Sequence, residues 1–399
     1  MKGATFKISG VGCALVDYLY KPVSFTSDEF RRYISVNPGD GGLSPGKLVF
    51  RDEFEDFTGE NYLKVRDEIT NGNTPIAVNI GGPSIVSLIH ASQMLEGLNA
   101  EIFFYGSKGN DKGAAFIDEN LQKTPLKVGK YKISEKYTPF TDVLSDPDYD
   151  HGHGERIFIN NIGAAWDLFP EDLDNDFFDS DITIFGGTAL VPHIHESLFE
   201  LLQKAKEKNA ITIVNTVYDS LNEKKNPNKA WPLGSSMKTY QYVDLLIADM
   251  EEALRLSGTG TIEESLKFFK KVGVGGVIVT HGANPLYYFC DSRLLGTSEG
   301  NMPVSEKIKN TMIQQPEKIG DTTGCGDNFA GGVISSIAEQ LIESPGYPVD
   351  IRKALAIGVV SGGFACLYHG GTFYEKYPGE KKEKKNPIYQ EYLKQINIE

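Results

Sequence analysis

From about residue 76 onward, short and almost continuously apolar runs alternate with helical segments, and this alternation limits what the chain can fold into. "EIFFYG" (101–106), "ITIFGG" (182–187), "ITIVNT" (211–216), "YVDLLIAD" (242–249) and "GVIVTHG" (276–282) read as strands. A strand with one wet face alternates polar and apolar residues. Runs this continuous suit strands covered on both faces. Between them, "IVSLIHASQMLEGL" (85–98), "HESLFELLQKAKEK" (195–208) and "TIEESLKFFKKV" (261–272) carry helical spacing. Strand–helix–strand repetition implies right-handed crossovers. It predicts an α/β fold, doubly wound, with a mostly parallel central sheet flanked by helices. Ligands of such sheets sit beyond the carboxyl ends of the strands.

Two regions interrupt the alternation. Residues 18–75 are rich in aromatic, charged and glycine residues with little helical period, and residues 127–162 look like strands joined by a polar loop. Together they predict a small β-sheet lid beside the main sheet, within a single domain spanning 1–399. An exposed lid edge invites strand pairing, so a homodimer through the lid is expected. Residues 376–399 form a charged C-terminal tail, predicted to be a solvated surface segment.

Composition narrows the partners. A formal net charge of −14 repels nucleic acid and anionic membranes, but leaves room for a small anionic ligand in a local positive field. No run reaches the roughly 18 apolar residues of a membrane span, and the N-terminus lacks a signal pattern. Cys13, Cys290, Cys325 and Cys366 are widely spaced, with no CxxC pair. That spacing points to reduced thiols and a cytoplasmic location. Asp150, His151 and His153 offer metal-ligand types, yet a His-x-His in a polar glycine-rich loop reads more simply as solvated.

The chemistry concentrates in "IGDTTGCGDNFAGGV" (319–333), a small-residue loop running directly into a helical pattern. Backbone N–H groups at a helix start lack partners and carry positive dipole potential. Gly324 and Gly326 let a ligand approach the backbone closely. These features make an anion cradle. Asp327 beside it would repel a phosphate, unless it takes a proton from a nucleophile attacking that phosphate. The competing reading is an Asp-capped helix start with small residues chosen for packing. Cys325 reads as a small loop residue rather than a nucleophile.

"DTTGCGDNFAGG" resembles, nearly position by position, the signature D-T-x-G-x-G-D-x-F-x-G-G of the ribokinase-like (PfkB-type) carbohydrate kinases. Further resemblances follow in family order. "GVGCALVDY" is similar to the first strand with its sugar-contacting acid, here Asp17. "NIGGPSIVSLIHASQML" resembles the Gly-Gly turn opening a helix, at Gly81 and Gly82. "YGSKGNDKGAAFIDENL" is similar to G-x-x-G-x-D-x-x-G, "LLIADMEEALRLSG" to N-x-x-E-A, and "VIVTHGANPLYYF" to the nucleotide-holding strand and turn.

The resemblance implies ATP and Mg2+ as cofactors and a sugar or nucleoside as substrate. Asp327 would be the base, with the N–H groups of Gly324, Cys325 and Gly326 as the anion hole. Thr322 and Thr323 would lie along the phosphate path. Thr280 and Gly282 would hold the nucleotide, with His281 and His369 flanking its turns. Glu252 would organise Mg2+ through water beside Asp249, which replaces the family's asparagine. Asp17, Gly81 and Gly82 would grip the acceptor, and Arg156, before "INNIGAA", is a further substrate contact. Val86 stands where the family commonly carries an asparagine, which argues against plain ribose bound in the usual way. The separation between Asp17 and Gly81 is long for the family, which predicts an enlarged lid. A sugar kinase, a nucleoside kinase of the same fold and a non-catalytic binding protein are the readings to separate. The intact loop and Asp327 favour the kinases.

Overall fold

A computed structural model of the chain describes residues 5–398, apart from 38, 153, 316–318, 321 and 346–347. Asp321 of the glycine stretch and His153 therefore lie outside the described residues. In chain order the strands are β1 (Phe6–Gly12), β2 (Leu15–Tyr20), β3 (Leu48–Phe50), β4 (Ala77–Gly81), β5 (Ala100–Lys108), β6 (Lys127–Ile133) and β7 (Phe140–Asp146). They continue with β8 (Glu155–Asn161), β9 (Ile182–Gly186), β10 (Ile211–Asn215), β11 (Leu245–Asp249), β12 (Gly276–Thr280), β13 (Leu286–Ser292) and β14 (Gly296–Met302).

Among the described residues the strands form two sheets. The larger runs β14-β13-β12-β11-β10-β9-β1-β5-β6. It is parallel from β12 to β6, and the hairpin β13–β14 closes one edge antiparallel. Strands of the central block are buried along almost their whole length, as their unbroken apolar runs require. One core packs one face under the helices Pro83–Met94, Cys325–Glu343 and Ile351–Ala365. A second packs the other face under Leu198–Glu207 and Ile262–Val272. The fold is therefore the doubly wound α/β arrangement expected, with a second, smaller sheet.

That smaller sheet runs β3-β8-β7-β2-β4. It has its own core, including Tyr20, Phe30, Phe54, Tyr62, Leu144 and Ile157. The make-up of this lid differs from expectation in two ways. Residues 127–133 form β6 and extend the main sheet beside β5, so only β7 and β8 of the 127–162 segment belong to the lid. Beyond β2 and β3 the 18–75 segment carries three short helices, Asp28–Arg31, Arg51–Thr58 and Tyr62–Ile69, set among irregular stretches. Arg51–Thr58 ends on Gly59 in the left-handed region (φ 67), and Tyr62–Ile69 starts on Asn61, whose side chain accepts from Leu63 N. Tyr62, Val65 and Ile69 supply its buried face, a period masked in the sequence by the charges between them.

The C-terminal segment departs further from expectation. Glu380–Gln395 is a helix, and Lys381, Lys385, Ile388 and Tyr392 are buried along it. Their spacing of four, three and four residues places them on one helical face. The Tyr392 hydroxyl donates to Pro303 O at 2.5 Å. The lysine run that reads as solvated thus supplies two inward-facing side chains. Tyr392→Ala should cost about 3–5 kcal/mol, the range for emptying a buried aromatic site. Urea denaturation checks this, since a solvated tail would show less than about 0.5 kcal/mol.

Candidate active site

The loop 322–326 leads into the helix Cys325–Glu343 through Gly324, which has φ 74. That left-handed conformation is strained for any residue with a side chain. A Cβ at Gly324 would also collide with Gly371 Cα. Gly324 O accepts from Asn328 N at 2.9 Å, the first bond of the helix.

The Asn328 side chain is buried and holds this turn. Its Nδ2 donates to Gly324 O at 2.8 Å and to Gly371 O at 2.7 Å. Its Oδ1 lies 2.8 Å from His90 Nδ1, and accepts from the Tyr368 hydroxyl at 3.1 Å and from Lys381 Nζ at 2.9 Å. Carbonyls of the loop are thereby drawn inward, which leaves the outer face of the helix start to its N–H groups. Of the N–H groups expected in the anion hole, that of Cys325 bonds Thr322 O at 3.3 Å within the loop. Gly326 is exposed, with nothing within 4 Å of where a Cβ would stand. The open side of the cradle is therefore at Gly326 and Asp327.

Burial pushes the Asp327 carboxyl up to about 7. Its charge also bears on Glu252, at the start of the helix Met250–Ser257. Asp249 caps that helix. Its side chain accepts from Glu252 N at 2.8 Å, while Glu252 Oε2 accepts from Asp249 N at 3.0 Å and from the Thr216 hydroxyl at 2.5 Å. This reciprocal capping box fixes both carboxylates at the carboxyl end of β11. Burial first, and the Asp249 charge second, raise Glu252 to about 8. Among the described residues no group of three His, Cys, Asp or Glu side chains is placed to hold a metal. Two carboxylates suit an Mg2+ that arrives on phosphates and keeps most of its waters, not a resident ion in a protein cage.

Thr280 ends β12 directly beside Asp249 in register, and Gly282 follows in open space at φ 55. On the lid, Asp17 of β2 is in register with Asn79 of β4, and its carboxylate lies against Gly81 Cα where a Cβ would overlap it. Gly82, at φ 109, starts the helix Pro83–Met94. Arg156 of β8 reaches out of the lid. Its Nη1 donates to the Thr323 hydroxyl at 3.0 Å and its Nη2 to that of Thr322 at 2.5 Å. A cation from the lid is thus set on the anion loop. His369 lies on the loop that carries Gly371, and its backbone oxygen accepts from Asn79 Nδ2 at 3.0 Å. Val86 is buried and packs against Gly371, 3.1 Å from where a Cβ would stand.

Sequence reasoning missed Asn328, His90, Lys381 and Thr216. Asn328 falls on a variable position of the signature, and the others contact the site from distant segments. The i, i+4 pairing of Lys381 and Lys385 with Ile388 and Tyr392 was the available signal. Cys325 and Cys366, distant in sequence, have Sγ atoms 3.3 Å apart.

A small-residue helix start, a half-buried carboxylate beside it and a capping pair of carboxylates at the end of β11 thus stand on an α/β scaffold. The description of the pfkB family carbohydrate kinases matches residues 61–376, and the chain belongs to that family. It is a phosphotransferase of the sugar-kinase type. The chain is 23% identical over 268 residues to a 2-dehydro-3-deoxygluconokinase of Bacillus subtilis (strain 168), covering 63% of this chain and 72% of that protein. Its fold is shared with adenosine kinase from Sinorhizobium meliloti at TM-score 0.69 and 16% identity, covering 96% of this chain and all (100%) of that one. Adenosine kinase from Schistosoma mansoni in complex with 2-fluoroadenosine gives TM-score 0.67 and 17% identity, covering 92% and 97%. Ribokinase from Thermotoga maritima gives TM-score 0.61 and 19% identity, covering 96% and 99%. No described helix is long and apolar enough to cross a membrane.

The two loop glycines should respond differently to substitution. Gly324→Ala meets both a left-handed φ and the Gly371 backbone, and should destabilise by roughly 1–3 kcal/mol. Gly326→Ala, in a helix and facing open space, should leave stability unchanged or raise it by up to about 1 kcal/mol. Denaturant titration of the pair checks the contrast.

Proposed function

We propose that the chain is an ATP-dependent kinase that transfers the γ-phosphoryl group to a primary hydroxyl of a carbohydrate. The placement of Asp327 carries the reading. Its carboxyl stands in the first turn of the helix behind the cradle, and burial holds it near 7. A base with that affinity is far better matched to removing a hydroxyl proton than an ordinary carboxylate. In the step, the acceptor oxygen loses its proton to Asp327 and forms a bond to the γ-phosphorus. The bond to the β-phosphate oxygen breaks and ADP leaves. The N–H groups at the helix start hold the negative charge of the transferred group.

Asp17, Gly81, Gly82 and Arg156 face the acceptor in this reading, and Thr322 and Thr323, which Arg156 bonds, line the phosphate path. Thr280, Gly282 and His369 are assigned to the nucleotide. Asp249 and Glu252 would hold the waters of an Mg2+ ion, which supplies charge neutralisation on the phosphates when bound. The relative's name, 2-dehydro-3-deoxygluconokinase, and the cationic Arg156 on the lid both support an acid sugar as acceptor. A cytoplasmic setting fits ATP as donor. A second copy of the chain would pair through the open edge of β4, where Ile76 and Val78 are exposed. Sedimentation reads this, and Val78→Lys should dissociate such a dimer.

Assay of Mg·ATP against sugars, sugar acids and nucleosides tests the function. Phosphorylation of a sugar or sugar acid is expected. Transfer confined to nucleosides, or ligand binding without transfer to any acceptor, would overturn it. With the true acceptor, Asp327→Asn should keep ATP binding, because the cradle is backbone, and lose on the order of a hundredfold or more in turnover.

A further inference from the structure

Behind the cradle lies a buried polar cluster that the reaction itself does not touch. Lys381 Nζ donates to Asn328 Oδ1 at 2.9 Å and to Gln93 Oε1 at 3.1 Å, and stands 5.9 Å from the ring centres of Tyr368 and Phe373. Gln93 is anchored in turn, since its Nε2 donates to Phe373 O at 2.7 Å. Glu375 Oε1 accepts from Lys381 N at 2.7 Å and fixes the start of the helix. One helical turn on, Lys385 Nζ donates to Ser361 Oγ at 2.5 Å and lies 3.3 Å from His90 Nε2.

An asparagine amide has two orientations, and only one holds the cradle. With Nδ2 toward Gly324 O and Gly371 O, both carbonyls are satisfied. With the amide turned over, two carbonyls would face an oxygen. Tyr368 and His90 do not choose between the two, because a hydroxyl and an imidazole nitrogen can each donate or accept. An ammonium group only donates. Lys381 therefore excludes the wrong orientation. The exclusion is complete for the ammonium form; with the third proton lost, two N–H groups still serve the two oxygens it faces, but the freed lone pair can also accept. Lys385 acts at one remove. By donating to His90 Nε2 it leaves the proton on Nδ1, pointing at the same Asn328 oxygen.

We propose that Lys381 is a positioning residue for phosphoryl transfer, acting through Asn328 to keep the Gly324 turn and its N–H groups in the anion-holding geometry. The proposal rests on the kinase reading and adds to it a role for the C-terminal helix, whose lysine run reads in sequence as solvated surface. It differs from a structural role in what it predicts. An interaction that matters only to the transferred group alters turnover and leaves ground-state binding alone.

The test uses the full chain with Lys381→Met, which keeps the volume and removes the donor, together with Lys381→Gln, Asn328→Ala and the Lys381→Met/Asn328→Ala double variant. Lys381→Met should lower kcat roughly tenfold to a hundredfold, as small misplacement of a catalytic group does, with KM for acceptor and ATP within about twofold. Lys381→Gln, which can still donate, should recover part of the loss. The double variant should be no slower than Asn328→Ala within about twofold, because the two act as one unit. Amide hydrogen exchange over residues 320–330, which needs no turnover, should speed up in Lys381→Met. Unchanged kcat and exchange, losses that multiply in the double variant, or a loss confined to KM would overturn the proposal. If wild type transfers phosphate to no acceptor, the kinase reading fails, and exchange alone decides whether Lys381 holds the turn. If Lys381→Met is too unstable to assay, Lys381→Leu, which also lacks a donor, replaces it under the same criteria.

Discussion

The buried amide of Asn328 ties together segments far apart in the sequence, and the site depends on it. It joins the cradle at Gly324, the loop at Gly371, the helix Pro83–Met94 through His90, and the C-terminal helix through Lys381. A left-handed residue at a helix start persists only where its surroundings over-determine it. Here they do so on two sides, by two hydrogen bonds from one side chain and by the Gly371 backbone against Gly324 Cα. A polar cluster of this kind is stable only when each member is satisfied. It is also cooperative, so the cradle inherits rigidity from three helices rather than from its own short loop.

Electrostatics follow from the same placement. A chain of net charge −14 handles phosphate only where local donors outweigh its overall field. Backbone N–H groups at the helix start and the Arg156 guanidinium provide that field without placing a lysine in the cradle. Against them stand two carboxyls, Asp327 and Glu252, that burial lifts toward neutrality, so repulsion of an incoming nucleotide is reduced before it binds. Arg156 also makes the lid part of the site. Its bonds to Thr322 and Thr323 link the small sheet to the cradle, and any motion of the lid must break or carry them.

Much of this was legible in the sequence, and the rest was hidden for identifiable reasons. The main sheet announced itself because strands covered on both faces carry unbroken apolar runs. The candidate cradle did so through the resemblance of "DTTGCGDNFAGG" to a long family signature, since a small-residue helix start next to an acid reads equally well as a packed cap. Residues 127–133 misled because an edge strand of mixed polarity looks alike in either sheet, and β6 is exposed along most of its length. The short lid helices hid because their apolar positions are aromatic and separated by charges. Lys381 and Lys385 hid most completely. Charge predicts exposure for lysine, and only tertiary partners such as Asn328, Gln93 and Ser361 reverse that expectation.

The central claim is that Asp327 accepts the proton of the acceptor hydroxyl from a site where burial sets its affinity. The most direct measurement is kcat/KM for the acceptor against pH at saturating Mg·ATP, in wild type and Asp327→Asn. A carboxylate raised to about 7 carries its proton below that pH and cannot act as a base there. The wild-type rate should therefore fall roughly tenfold per pH unit below about 7 and level off above it, while the residual rate of Asp327→Asn lacks that inflection. A wild-type profile that is flat through this range, rises on acidification, or keeps the same inflection in Asp327→Asn would contradict the account.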